Sequence, residues 1–113
     1  MTQTVRIDVS AGALRGLRAN GIDRYLGIPY AEPPVGAHRF AAPVPARPWT
    51  QERAADSFGA TAPQSPYPGD IGELLSCPVI EGENILTLNV WTPATRAGAP
   101  RPVVLWLHGG ALE

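Results

Sequence analysis

The chain has 113 residues and a formal net charge of −1, from nine basic and ten acidic side chains. This length can bury the core of one small domain. The balanced charge gives no reason to expect binding to nucleic acid or to an anionic membrane. No segment has the length and composition of a transmembrane helix or a signal peptide, and no Cys/His cluster has metal-site spacing.

Cysteine usage is the next compositional constraint. Cys77 is the only cysteine, so the chain cannot form an internal disulfide. A lone cysteine fits a reducing compartment. With no signal peptide recognised at the N-terminus, we expect a cytoplasmic location.

The chain begins with a predicted antiparallel meander of three strands. Residues 5–9 alternate apolar and polar side chains, as a half-buried strand does, and residues 13–18 return after a turn. The dipeptide Asn20-Gly21 favours a two-residue hairpin, because a type I′ turn needs positive φ at both positions. Residues 22–28 then form the third strand.

Residues 29–68 hold nine of the thirteen prolines. Proline fixes φ and removes a donor, so this region is neither helix nor sheet interior. Aromatic side chains spread along it favour an ordered covering loop that packs by those aromatics, and a disordered linker is the alternative. The prediction rests on Tyr30, Phe40, Trp49 and Phe58.

The second half of the chain has two further strand patterns. A short helical turn is possible at residues 71–75, and residues 86–91 alternate as a strand does. The uninterrupted apolar run Val103–Leu107 is typical of a strand buried on both faces of a sheet. Because only a short, turn-rich connection separates the last two strands, we expect them to be antiparallel neighbours.

A doubly buried strand needs covering layers, which are usually helices. No stretch of the chain keeps a helical period over three turns. The chain is therefore either an unusual all-β domain or the beginning of a larger α/β unit.

A His-Gly-Gly turn follows the apolar run. Gly109 and Gly110 allow the backbone to turn sharply and to bring its N–H groups close to a ligand. A strand followed by such a turn can supply backbone donors to an oxyanion. The alternative is an ordinary strand-to-loop turn in which His108 is structural.

Blocks along nearly the whole chain resemble the type B carboxylesterase family, which includes p-nitrobenzyl esterase-like enzymes, cholinesterases and neuroligins. The most specific block is residues 26–36, Leu-Gly-Ile-Pro-Tyr-Ala-Glu-Pro-Pro-Val-Gly. The other blocks, in chain order, are residues 12–16, 39–40, 43–45, 48–49, 58–59, 83–93 and 106–111. Chance agreement of so many blocks in order is negligible.

The resemblance implies an α/β-hydrolase fold and hydrolysis of small-molecule carboxylic esters by a Ser-His-Glu/Asp triad, with no cofactor. Residues 1–113 would then be the N-terminal part of one such domain, comprising the meander, the Pro-rich loop and the first central strands. The helices would follow in a chain several times longer. The resemblance leaves the acyl and alcohol specificity and the oligomeric state open.

The resemblance also assigns roles to residues of the His-Gly-Gly turn. It implies that the oxyanion donors are the backbone N–H groups of Gly110 and Ala111, with Gly109 giving the turn its freedom. His108 would orient the loop and would not be the triad histidine. Leu112 stands where many members have an aromatic residue, which would change the wall of the acyl pocket.

The resemblance also implies an ion pair between Arg39 and Glu83. It would pin the Pro-rich loop to the strand at residues 86–91. The loss of one partner of a partly buried pair costs about 3–5 kcal/mol. The alternative is two solvated charges, whose interaction contributes under ~1 kcal/mol.

The chain departs from the family pattern at a loop disulfide. Asn84 replaces an aspartate and Ile85 replaces the second cysteine, while Cys77 lies near the position of the first. The disulfide of secreted members is therefore absent, in agreement with a cytoplasmic location.

No Gly-X-Ser-X-Gly sequence occurs in the chain, so it has an oxyanion loop without a nucleophile. We expect the 113 residues alone to be inactive and poorly soluble. Three hypotheses follow: the parent is a carboxylesterase, which we favour; it is a non-catalytic cholinesterase-like binding protein; or the chain is a truncated fragment without activity. The sequence after Glu113 discriminates among them.

Overall fold

The computed structural model describes residues 1–75, 78–95, 98 and 100–109, without the side chain of Ile71. The predicted meander is confirmed. Strands β1 (Gln3–Val9), β2 (Gly12–Ala19) and β3 (Ile22–Pro29) are antiparallel neighbours. The turn between β2 and β3 has φ of 51° at Asn20 and 73° at Gly21, as the dipeptide predicts.

The strand predicted at residues 86–91 is also confirmed. Strand β5 spans Thr87–Pro93 and pairs antiparallel with β3, so that the sheet has the order β1-β2-β3-β5. The register of this pair shifts between Tyr25 and Ile28. Gly27 lies in the shift with φ of 66°, and its N–H donates to Asn89 Oδ1 at 2.9 Å. The amide side chain therefore satisfies a donor near the irregularity.

Part of the Pro-rich region enters the sheet. Strand β4 (Arg53–Ala54) pairs in parallel with β2. The N–H of Ala55 donates to the Arg15 carbonyl at 2.8 Å, and the Ala55 carbonyl accepts from the Leu26 N–H at 2.9 Å. This segment thus bridges β2 and β3 away from their hairpin, which confirms an ordered loop in place of a disordered linker.

Two short helical segments complete the described structure. A single 3₁₀ turn spans Gly36–His38, and helix α1 spans Asp70–Leu74, where the sequence predicts a helical turn. None of the helices among the described residues has the length and apolar composition of a membrane-spanning segment.

The core is small and lies between the meander and the segment that includes β4. Leu14, Tyr25 and Ala55 are at most 2% exposed, and Trp49 packs against them. The Trp49 indole Nε1 donates to the Ala13 carbonyl at 2.8 Å. Tryptophan is well suited to this place because its ring is apolar while its N–H finds an acceptor.

Among the four aromatic residues on which this prediction rests, packing is confirmed for Trp49 alone. The prediction is wrong for Tyr30, Phe40 and Phe58, whose side chains are 52%, 93% and 55% exposed. No described layer lies over these three rings, so the loop is ordered by β4, by Trp49 and by its backbone hydrogen bonds.

The buried strand predicted at Val103–Leu107 is absent from the described structure. The five side chains are 76–93% exposed, and residues 101–109 are assigned to no strand. The prediction of an antiparallel pair with β5 is therefore wrong in this structure. A strand of this composition needs a sheet partner and a layer on each face. No described strand pairs with the run, and its side chains stay exposed.

Candidate functional site

The His-Gly-Gly turn is only partly described. His108 and Gly109 are exposed, and a Cβ added at Gly109 would meet no atom within 4 Å. Gly110 and Ala111, to which the resemblance assigns the oxyanion donors, lie outside the described residues, as does Leu112. The direction of those two N–H groups therefore stays a prediction.

The described residues contain no pair of groups able to activate a serine nucleophile. Their serines are Ser10, Ser57 and Ser65, and no hydrogen bond in this part of the chain joins a serine hydroxyl to His38 or His108. A serine is a weak nucleophile without a neighbouring base. Among the described residues, no serine is therefore paired with a base that could activate it.

The predicted ion pair of Arg39 with Glu83 is not formed. Both residues are exposed, and neither takes part in an ion pair within the described ranges. The guanidinium carbon of Arg39 lies 4.9 Å from the centroid of the Phe40 ring instead. A cation over the face of an aromatic ring is favourable, and Phe40 is the nearer partner for Arg39 along the chain. Glu83 agrees with the alternative expectation, because its carboxylate is exposed and forms no ion pair within the described ranges.

A different set of charges joins the Pro-rich region to the meander. Arg6 on β1 and Arg15 on β2 are direct neighbours across the strands, which is an unfavourable position for two like charges. The Glu52 carboxylate lies 3.3 Å from Arg6 Nε and 3.4 Å from Arg15 Nε. Asp56 lies 3.8 Å from Arg15 Nη1. Glu52 therefore offsets the repulsion and holds the segment that includes β4 over the strands.

Asp23 is the buried acidic residue of the described structure, at 2% exposure. Arg18, its neighbour across β2 and β3, donates from Nε to Oδ1 and from Nη2 to Oδ2, the latter at 2.8 Å. The hydrogen bond to Asp23 raises the pKa of the Arg18 guanidinium above its usual value, and desolvation opposes that shift. A carboxylate bound on both oxygens is a structural partner of arginine and is poorly placed to act as a general base.

A surface groove of about 350 Å³ lies beside the Leu26–Gly36 block and includes Tyr30, Glu32, His38 and Phe40 in its lining. The Glu32 carboxylate accepts from the Arg47 N–H at 2.8 Å. The lining contains no serine or cysteine. Within the described ranges, no group of three or more His, Cys, Asp or Glu could hold a metal ion.

Three features were not predicted from the sequence: the ion pairs of Glu52, the hydrogen bond from the Trp49 indole to the Ala13 carbonyl, and the Arg18–Asp23 pair. The need for an acid such as Glu52 follows from the register of the meander, because Arg6 and Arg15 become neighbours only when β1 and β2 are aligned. The Asn-Gly hairpin could have revealed the last pair, since it sets Arg18 opposite Asp23.

The match to known proteins defines the class. Residues 3–113 match the Carboxylesterase family, and the chain therefore belongs to it. The solved structures most useful for comparison are a thermophilic PNB esterase and the Geobacillus stearothermophilus carboxylesterase EST55. The first is 36% identical with a TM-score of 0.79, and the matched region covers 94% of this chain and 21% of that one. The second is 36% identical with a TM-score of 0.75, and the matched region covers 95% of this chain and 20% of that one.

The curated relatives agree. The chain is similar to phenmedipham hydrolase of Pseudarthrobacter oxydans, with 43% identity over 106 residues that cover 91% of this chain and 21% of the relative. It is also similar to human carboxylesterase 3, with 41% identity over 122 residues that cover 94% of this chain and 20% of the relative. The fold class is that of the α/β hydrolases, and the antiparallel sheet is consistent with its N-terminal part. The chain spans about a fifth of the length of these relatives.

Proposed function

We propose that residues 1–113 are the N-terminal part of one α/β-hydrolase domain whose parent protein hydrolyses small carboxylic esters. The observation that carries the proposal is the match to the Carboxylesterase family over residues 3–113, which includes the apolar run and the His-Gly-Gly-Ala sequence. The named relatives are esterases and a hydrolase, so they give no support to a non-catalytic binding protein.

In this proposal the chain contributes electrostatic stabilisation and the rest of the domain contributes the nucleophile. A serine oxygen attacks the ester carbonyl carbon, and the triad histidine takes the serine proton and passes it to the leaving alcohol. Water then attacks the acyl carbonyl carbon, the histidine takes a proton from the water and returns it to the serine oxygen, and the carboxylic acid leaves. In the tetrahedral intermediate of each step the former carbonyl oxygen is negative, and the N–H groups of Gly110 and Ala111 donate to it. Each such donor contributes roughly 3–4 kcal/mol in the transition state.

A cytoplasmic location also belongs to the proposal. Its support is the lone Cys77, with Ile85 at the position of the family's second cysteine. Disulfides persist mainly in oxidising compartments.

The test of the catalytic role is a chimera that joins residues 1–113 to the remaining part of the thermophilic PNB esterase in one polypeptide. We expect the chimera to hydrolyse p-nitrophenyl acetate with kcat within about tenfold of the intact esterase, because backbone donors do not depend on side-chain identity. The esterase with its own N-terminal segment is the control. A folded chimera without turnover would contradict the proposal.

A further inference from the structure

Strand β1 has an open edge in the described part of the chain, where β2 is its one neighbour. The Arg15 carbonyl on β2 accepts from the Ala55 N–H at 2.8 Å, beside β4 and away from β1. Opposed residues of an antiparallel ladder exchange both backbone hydrogen bonds or neither, and Arg6 lies opposite Arg15. Arg6, with Thr4 and Asp8 at the alternate positions, therefore directs its backbone N–H and C=O groups outward, where a further strand can bind them.

The charges on this edge are complementary to a second copy of themselves in one antiparallel register. When two β1 strands pair about Ile7, Arg6 of each copy lies opposite Asp8 of the partner subunit, and opposite charges across strands attract. The two nearest registers that keep the same backbone hydrogen bonds are centred on Arg6 or on Asp8. Each of them sets two like charges opposite each other, which is unfavourable.

The other face of β1 favours the same register. Val5 and Ile7 are partly buried against the core cluster, and Val9 is 40% exposed. Pairing about Ile7 sets Val5 opposite Val9 of the partner subunit and sets the two copies of Ile7 opposite each other. Pairs of β-branched side chains across strands are favourable. The register that pairs the charges on one face therefore also covers the exposed valine on the other.

Arg6 can enter such a pair without giving up its present contacts. Its Nη2 donates to Asp8 at 2.8 Å, and its Nε lies 3.3 Å from the Glu52 carboxylate. A guanidinium has more N–H donors than these two contacts use. The side chains of Arg6 and Asp8 are 60% and 72% exposed, so both are accessible to a partner.

We propose that the outer edge of β1 is a homodimerisation site, and that its occupant is β1 of a second copy of the chain, paired antiparallel about Ile7. Charges on an edge strand discourage pairing with unrelated strands. The order of these charges, basic and then acidic with one residue between them, repels shifted pairing and attracts an identical strand in this one register. The edge is therefore selective for its own copy, and the inference does not depend on ester hydrolysis.

The first test is sedimentation velocity of the chimera of residues 1–113 with the remaining part of the thermophilic PNB esterase, over a series of concentrations. We expect a monomer–dimer equilibrium. Asp8→Arg should raise the dissociation constant at least about tenfold, because it sets like charges opposite each other in both cross-strand pairs. The control is Glu81→Arg, the same charge change at an exposed residue outside β1, which should leave the constant within about twofold.

A mixture of two variants tests the pairing of the charges directly. Arg6→Asp alone should also weaken the dimer at least about tenfold, because acidic side chains then face each other. In an equimolar mixture of the Asp8→Arg and Arg6→Asp chimeras, two basic side chains of one copy face two acidic side chains of the other. We expect a heterodimer with a dissociation constant within about threefold of the unsubstituted dimer.

A cross-link tests the register independently of the charges. In the proposed dimer the two copies of Ile7 form a non-hydrogen-bonded pair with Cα atoms about 4.5 Å apart, which is within the range of a disulfide. Ile7→Cys should therefore give a covalent dimer on mild oxidation. Val9→Cys should not, because the two copies of this position lie about 13 Å apart along the strands. The unsubstituted chimera is the control for the cysteines already present.

Three results would overturn the homodimerisation site: a chimera that stays monomeric up to its solubility limit, equal effects of Asp8→Arg and Glu81→Arg, or a cross-link at Val9→Cys in place of Ile7→Cys. Turnover is a separate readout. A dimeric chimera that does not hydrolyse p-nitrophenyl acetate keeps the site and contradicts the proposed function. An active chimera that stays monomeric contradicts the site alone.

Discussion

Replacing Ala111 by proline in the chimera should lower kcat for p-nitrophenyl acetate by about 10²–10³-fold, the effect of removing one oxyanion donor. Proline has no N–H, so the substitution removes the donor that the resemblance assigns to this position. The KM should change much less than kcat, because the donor acts on charge that develops in the transition state.

The matched control is Ala111→Gly, which keeps the N–H and removes only the methyl group. We expect its kcat to stay within about threefold of the chimera, since glycine retains the donor although it costs some backbone order. Both variants must show the same unfolding midpoint in urea to exclude misfolding. An Ala111→Pro chimera with unchanged kcat would assign the oxyanion donors to other groups.

Replacing Leu14 by alanine should lower the free energy of unfolding of the chimera by about 3 kcal/mol. Leu14 is 1% exposed and is in contact with the cluster of Tyr25 and Ala55. The loss combines the transfer free energy of the deleted carbons with the cavity that remains, because β2 is held on both sides and cannot collapse freely.

Urea unfolding followed by tryptophan fluorescence measures this loss. The control is Val9→Ala, which truncates a side chain that is 40% exposed at the outer edge of β1 and should cost under about 1 kcal/mol. Equal losses for the two variants would show that Leu14 is not at the centre of the core.

The part of the fold that could be predicted is the part with local signals. The meander follows from two-residue alternation and from Asn20-Gly21, and both are visible within a few residues of sequence. β4 has no such signal, because Arg53–Ala54 is too short for a pattern and pairs with residues about forty positions earlier. Its place depends on the space between β2 and β3, which exists only in the folded sheet.

The run Val103–Leu107 shows the opposite case. Its composition predicts a doubly buried strand. That prediction requires covering layers on both faces of the segment as well as an extended backbone. The described structure supplies no covering layers, so the same five side chains are exposed. The ring of Phe40 is also exposed, and Arg39 lies over it, whereas the resemblance implies a pair of Arg39 with Glu83. The local pattern predicts which environment these side chains favour, and the described residues do not provide that environment.

For the candidate site, only the residues that would supply the backbone donors could be predicted, and not the direction of their N–H groups. His108 and Gly109 follow the apolar run and are exposed, and a Cβ added at Gly109 would meet no atom within 4 Å. A donor's direction is a property of the completed site, since it depends on what the turn packs against. The resemblance supplied the assignment of Gly110 and Ala111, which alternation and turn signals do not contain.

The most direct measurement is a crystal structure of the chimera after its serine has reacted with diethyl p-nitrophenyl phosphate, which leaves a tetrahedral phosphoryl group in place of the reacting carbonyl. We predict that the backbone nitrogens of Gly110 and Ala111 both lie about 2.7–3.1 Å from one phosphoryl oxygen, the range of a working oxyanion hole. Nitrogens that point away from the phosphoryl group, or that donate to backbone carbonyls of their own loop, would contradict the account.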